Sequence, residues 1–311
     1  MKLDVNNISK YFGEGSNKKK AIDEVSFSIS SGEFKTLVGS SGSGKSTILR
    51  IIAGLENPSK GNVKVDGKVV HGPGLDRGMV FQKYSLFPWL TAEENIAFGM
   101  NLNSYKLKEI KYRTSYLLEV VGLQDSASKY PKELSGGMQQ RVGLARALAT
   151  DSDIMLMDEA FSALDPLIRS DMQKQLLSLQ SELKKTIVFI THDLDESLRL
   201  GNHIAILNAG KLVQVGTPVD IIMNPADDYV KAFVKDVNRA KVIKAKIIMT
   251  NANETNGIDK SNLVKVNEDQ FIEEFLPQIV CTNANCEVVD KSGNIKGYIT
   301  NKELQSSLTK S

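Results

Sequence analysis

Cysteine is nearly missing from this chain. Only Cys281 and Cys286 occur, with four residues between them and no histidine close to either. A metal site needs more ligands, and two thiols make no disulfide framework, so both read as reduced structural residues. Long apolar runs are missing too. The 41% hydrophobic content is that of a globular protein, yet no stretch approaches the ~20 residues that cross a bilayer as a helix. The N-terminus, Met1-Lys2-Leu3-Asp4-Val5, is charged at once and lacks the apolar centre of a secretory signal. The expectation is a cytoplasmic chain that reaches a membrane only through a partner. A dominant charge is the third absence. Lys and Arg number 39 against 37 Asp and Glu, a net charge of +2. That balance argues against nucleic acid or an anionic membrane surface as the main partner. The one basic run, Lys18-Lys19-Lys20, reads as a solvated loop.

What is present is an alternating pattern. The 311 residues accommodate one large domain and an appendage. Leu3-Asp4-Val5 and the period-two run Val25 to Ile29 read as strands. Gly61 to Val65 and Lys68 to Val70 flank Asp66-Gly67, a hairpin signal, and Met79 to Phe81 is a buried-strand candidate. From about Pro88 to Ala149 the apolar spacing is three and four. It predicts helices over Glu93–Met100, Lys106–Val121 and Met138–Ala149, the middle one ending at Gly122. Strand and helix then alternate: Ile154–Met157, Pro166–Leu183, Thr186–Ile190, Asp193–Leu200 and His203–Leu207, with a hairpin turn at Asn208 to Lys211. Such an order predicts an α/β fold, a mixed sheet core, largely parallel at its centre, with a helical insertion over about 88–149. Composition shifts near residue 236. Beyond it, two strands (Cys286 to Asp290 and Ile295 to Thr300) and a helix from Asn301 suggest a small α+β module. The expected domains are therefore 1–236 and 237–311.

Chemistry begins at Gly39-Ser40-Ser41-Gly42-Ser43-Gly44-Lys45-Ser46-Thr47, a complete G-x-x-x-x-G-K-[ST] loop. A β-rich run precedes it and a helix start follows, the context that loop requires. Glycines let backbone N–H groups turn around phosphate oxygens, and the helix N-terminus adds a favourable dipole. Lys45 is expected on the β- and γ-phosphates and the Ser46 hydroxyl on Mg²⁺. An apolar strand then ends in Asp158-Glu159. There Asp158 suits the Mg²⁺ shell, and Glu159 suits accepting a proton from an attacking water.

A second glycine turn, Leu134-Ser135-Gly136-Gly137-Met138-Gln139-Gln140-Arg141, feeds another helix and so makes a second backbone anion site. Two such cradles suggest that two copies share nucleotides. With this string the chain resembles the ATP-binding subunit of ABC transporters, over about residues 3 to 236. The resemblance implies that Tyr11 stacks on adenine and that Gln82 touches Mg²⁺ and the catalytic water. It also implies that Ser162-Ala163-Leu164-Asp165 crosses a homodimer interface and that His192 contacts the γ-phosphate. Each ATP would lie between the Gly39–Thr47 loop of one copy and Ser135, Gly136, Gly137 and Gln139 of the other. Lys45, Glu159 and His192 would carry catalysis. Membrane permease subunits, docked near Gln82 on the aromatic stretch Tyr84 to Leu90, and a solute-binding protein are the implied partners. The implied address is the cytoplasmic face of the membrane.

Substrate signals are divided. Gly72 to Gly78 with Phe87-Pro88-Trp89-Leu90 resembles nitrate, sulfonate and taurine importers. Phe161 to Arg169, Asp228-Tyr229-Val230 and Asp236 to Val242 resemble glycine betaine/proline importers, and this longer match leads. The tail, with Val288-Val289-Asp290, Gly293, Gly297 to Thr300 and Leu304, is similar to one CBS module, with a degenerate first copy between Ala245 and Pro277 or pairing across a dimer as alternatives. Non-transport ABC ATPases usually carry tandem cassettes or long coiled coils, neither visible here. A GTPase is disfavoured because no Asn-Lys-x-Asp string occurs.

Overall fold

The computed structural model describes residues 1–13, 15–81, 86–103, 105–150, 152–162, 164–252, 262–282 and 284–309. They form two compact units, Met1–Val215 and Gly216–Ser311. The compositional shift near residue 236 lies within the second.

In the first unit, β1 (Leu3–Phe12) and β2 (Lys19–Ile29) pair antiparallel, with Leu3 opposite Ile29 and Val5 opposite Phe27. Next come β3 (Phe34–Gly39), α1 (Lys45–Ala53), β4 (Lys60–Val65), β5 (Lys68–Val69) and β6 (Arg77–Val80). The β4–β5 hairpin turns at Asp66 and Gly67, whose φ of 47° and 77° are the left-handed pair that a tight hairpin needs. The insertion consists of α2 (Ala92–Leu102), α3 (Leu107–Val120) and α4 (Gly136–Ala149). Thr91 and Glu94 form a reciprocal capping box at the start of α2, and Gly122, at φ 63°, follows α3 in the left-handed stop position. Then follow β7 (Ile154–Asp158), α5 (Pro166–Leu183), β8 (Thr186–Thr191), α6 (Leu194–Leu200), β9 (His203–Asn208) and β10 (Lys211–Gly216).

These strands build two sheets, β2-β1-β4-β5 and β10-β9-β3-β8-β7-β6. The second is parallel across β9, β3, β8, β7 and β6. Its central strands β3, β8 and β7 are buried on both faces, and the period-two rule divides their side chains. Ile154, Leu156, Val188 and Ile190 join α1 and the antiparallel sheet in one core. Met155, Met157, Ile187 and Phe189 join the helical insertion in another. The parallel centre and the insertion match the expectation; the antiparallel sheet as a separate layer is an addition.

The second unit contains α7 (Pro218–Met223), α8 (Asp228–Val234), α9 (Ala245–Ile248), β11 (Thr250–Asn251) and β12 (Leu263–Asn267), then α10 (Ile272–Thr282), β13 (Asn285–Val289), β14 (Ile295–Ile299) and α11 (Asn301–Thr309). The sheet order is β11-β14-β13-β12, with β12 and β13 parallel and β13 and β14 antiparallel. Val266, Ile272, Phe275, Cys286, Val288 and Leu304 fill its core. Thr300 precedes α11 and donates its amide to Glu303 Oε2 at 2.8 Å. Of the residues between Ala245 and Pro277, 253–261 lie outside the described ones.

Candidate active site

β3 is buried along its whole length and delivers Gly39 to the rim of the parallel sheet. Gly42 and Gly44 have φ of 75° and 99°, conformations that side chains resist. Gly44 is also the N-cap of α1, and it contributes no side chain to cap the helix. The first-turn amides of α1 therefore suit an incoming anion. Lys45 is buried, and its Nζ donates to Gly39 O at 2.8 Å and Ser40 O at 2.9 Å. Burial pushes its ammonium downward, while the charges of Glu159 and Asp158 push it back up. A buried cation amid carbonyl oxygens and amides fits a phosphate group.

Asp158 ends β7. Ser46 Oγ donates to its Oδ1 at 3.0 Å. Burial raises the carboxyl above its ordinary value, against the bond from Ser46 and the charges of Arg50 and Lys45. Hard oxygens from a hydroxyl and a desolvated carboxylate make a donor set that fits Mg²⁺.

Glu159 takes a left-handed φ of 46° while its amide still donates to Ile190 O on β8 at 3.1 Å. This bend at the strand's mouth is a strained conformation for glutamate. It leaves Glu159 Oε1 3.3 Å from Nδ1 of His192, whose side chain is 64% exposed. Lys45, Ser46, Asp158, Glu159 and His192 thus converge on the carboxyl ends of β3, β7 and β8.

The second glycine turn is a separate anchor. Ser135 caps α4, its Oγ accepting from Met138 N at 3.3 Å. Gly137 packs so near the α5 loop that a Cβ there would meet Leu164 Cδ2 at 3.3 Å. Gln139 Nε2 donates to Pro131 O at 2.9 Å and Leu134 O at 3.1 Å, so this amide braces its own turn. Gln140, buried, donates to Ala160 O just past Glu159, and Arg141 donates to Val121 O at 2.8 Å. Asp165 caps α5, accepting from Ile168 N at 3.1 Å. Tyr11, on β1 opposite Lys20, has Lys18 Nζ 4.7 Å from its ring centroid. Gln82, Tyr84 and Ala163 lie outside the described residues. Sequence reasoning did not single out Arg169 and Glu196, which line a small cavity with Glu159 and His192, or Gln173, whose Nε2 donates to Glu196 Oε1 at 2.7 Å. Their only signal was a carboxylate placed four residues after the histidine.

A family model described as ABC transporter matches residues 22–162. The chain is 44% identical over 289 residues to the glycine betaine transport ATP-binding protein OpuAA of Bacillus subtilis (strain 168), covering 84% of this chain and 69% of that protein. It is 44% identical over 279 residues to the glycine betaine/proline betaine transport system ATP-binding protein ProV of Escherichia coli (strain K12), covering 80% and 69%. Among solved structures, the dimeric post-hydrolysis state of the ATP-binding cassette MJ0796 bound to ADP and Pi matches with a TM-score of 0.64 at 33% identity, over 70% of this chain and 98% of that one. The chain belongs to the ATP-binding cassette family of ABC transporters, the ATPases whose fold its first unit reproduces.

Proposed function

We propose that this chain is the ATP-hydrolysing subunit of an importer for a small compatible solute of the glycine betaine/proline type. One observation carries the ATPase reading. Lys45, Ser46, Asp158, Glu159 and His192, drawn from three strand ends, meet at one rim while a second anion-ready helix end waits on α4. The names of the two betaine relatives and their similarity over most of the chain support the substrate class.

Mechanistically, Lys45 exchanges its loop carbonyls for β- and γ-phosphate oxygens. Ser46 and Asp158, with Gln82, would hold Mg²⁺, which would neutralise phosphate charge when bound. Glu159 accepts the proton of the attacking water, and His192, beside it, steadies both that carboxylate and the γ-phosphate. Tyr11 offers its ring to the adenine. Ser135, Gly136 and Gly137 of a second copy close over the same triphosphate, with Gln139 bracing their turn. The Ser162-to-Asp165 loop meets its counterpart across the homodimer.

No helix among the described residues is long and apolar enough to cross a membrane. Membrane attachment at the cytoplasmic face is therefore assigned to permease subunits. Phe87, Phe98 and the 66% exposed Trp89 form an aromatic patch suited to receiving them. A solute-binding protein joins through the permease. The β12-α10-β13-β14-α11 order supports one CBS-like regulatory module in the tail.

Uptake tests the substrate. Co-expressed with its permease in cells stripped of their own betaine uptake, the chain is expected to restore glycine betaine accumulation. Restored taurine or nitrate uptake instead would reassign it. Removing residues 241–311 is expected to leave ATP turnover but alter its dependence on salt or adenine nucleotide; an unchanged dependence refutes a regulatory tail.

A further inference from the structure

Glu159 and His192 line a cavity of about 50 Å³ together with Arg169, Thr191 and Glu196. Glu196 sits in α6 at only 9% exposure. Its carboxylate accepts from Gln173 Nε2 at 2.7 Å and from the Thr191 hydroxyl. Amide-to-side-chain bonds fix the same turn. Asp193 N donates to Thr191 Oγ1 at 3.0 Å, and Glu196 N donates to Asp193 Oδ1 at 3.1 Å. His192 is therefore held between two residues that Glu196 controls, one by its side chain and one by its amide.

The other end of this network lies on α5. Arg169 and Gln173 are four residues apart and so share one face of that helix. Arg169 Nη2 donates to Leu164 O at 3.1 Å and to Ser162 O at 3.5 Å, gripping the loop expected at the dimer interface. Its Nε is buried with no hydrogen-bond partner among the described residues. Arg169 faces Glu196 with opposite charge, while Asp193 faces it with like charge. Burial pushes the Glu196 carboxyl up, and the two hydrogen bonds and the arginine oppose that. A carboxylate with no task would be expensive to keep in such a place.

We propose that Glu196 is a positioning residue for ATP hydrolysis. It ties the Thr191–His192 turn to α5, and with Arg169 it couples the position of the 162–165 loop to the reach of His192. Closure of a partner subunit on that loop then pulls on the same helix face that holds the switch histidine. This inference rests on the assignment of Glu159 and His192 made above.

The test uses the full chain with Mg·ATP. Glu196→Gln keeps the shape and removes the charge that faces Arg169. The expected loss in kcat is about ten- to a hundredfold, with KM changed less than about threefold and Tm no lower than wild type. Thr191→Val is expected to reproduce the loss and Thr191→Ser to retain activity. Combined with Arg169→Lys, Glu196→Gln is expected to add little to the larger single effect, the non-additivity of one unit. Wild-type kcat in Glu196→Gln, a loss that tracks a fall in Tm, or fully multiplicative effects with Arg169→Lys would each overturn the proposal. Glu159→Gln is run beside them. Turnover surviving there removes the proton-acceptor assignment, whereas the Glu196–Arg169 coupling is read from its own cycle.

Discussion

Ser46 Oγ and Asp158 Oδ1 stand 3.0 Å apart although 112 residues separate them in the chain. The first belongs to the turn that opens α1 and the second to the end of β7, so their meeting depends on the sheet order β3-β8-β7. The bond joins the phosphate loop to the acidic strand end, and it gives Asp158 one neutral donor to offset its burial. That environment has a thermodynamic consequence.

The folded carboxyl of Asp158 is raised above its ordinary value, mainly by burial. The folded protein therefore binds more protons than the unfolded chain between the ordinary and the raised pKa. Stability from this group falls as pH rises through that window and stays reduced at neutral pH. Asp158→Asn is expected to raise the Tm of the nucleotide-free chain at pH 7 by about 2 °C or more, with the gain vanishing below the ordinary carboxylate range. Steady-state ATPase should be nearly lost in the same variant. Scanning calorimetry across pH beside a phosphate-release assay checks both. A lower Tm at pH 7 would show that the Ser46 bond outweighs the burial.

Lys45 is held by two loop carbonyls, Gly39 O and Ser40 O. Lys45→Met removes the cation that those oxygens and an incoming phosphate share. Affinity for a fluorescent ATP analogue is expected to drop at least about tenfold, the scale of one lost charge-assisted contact. Unchanged affinity would move the phosphate site elsewhere.

The placement of the Gly39–Thr47 loop before α1, of Asp158-Glu159 at the end of β7 and of the Ser135-Gly136-Gly137 turn at the start of α4 was legible because each is a contiguous string with its own local geometry. Helix α5 was legible from residue to residue, since Asp165-Pro166 starts it with a cap and a fixed φ. Three things were not. The left-handed φ of Glu159 is imposed by its amide's bond to Ile190 on a neighbouring strand. Gln139 looked like a ligand-facing polar residue, yet its amide is engaged with Pro131 and Leu134 carbonyls. Glu196 and Gln173 are 23 residues apart and meet only after α5 and α6 pack; no periodicity announces a charged residue turned inward. Partners chosen by tertiary packing leave no local trace.

The two cysteines provide a check on the second unit. Cys281 is exposed near the end of α10, whereas Cys286 is buried in β13 with its thiol pushed up to about 12 by desolvation. A maleimide reagent at pH 7.5 is expected to label Cys281 rapidly and Cys286 only after denaturation. Peptide mapping would read this directly. Rapid labelling of Cys286 in the native chain would mean that the core of β12, β13 and α10 opens on the experimental timescale.

Ser135 allows the two jobs of a helix start to be separated. Its hydroxyl caps α4 through Met138 N, and the same serine is proposed to face the triphosphate held by a second copy. Ser135→Ala removes both roles, costing about 1 kcal/mol of stability together with activity. Ser135→Asp keeps a good cap and places a negative charge where the helix dipole favours one. That charge would repel a triphosphate closing from the partner. The aspartate variant is therefore expected to match or exceed the wild-type Tm, to bind ATP as a monomer through its own Lys45 loop, and to lose both the ATP-induced dimer and turnover. Size-exclusion chromatography with light scattering, in a Glu159→Gln background that stabilises the closed pair, separates the outcomes. A dimer that still forms with aspartate at this position would show that the second cradle does not touch phosphate.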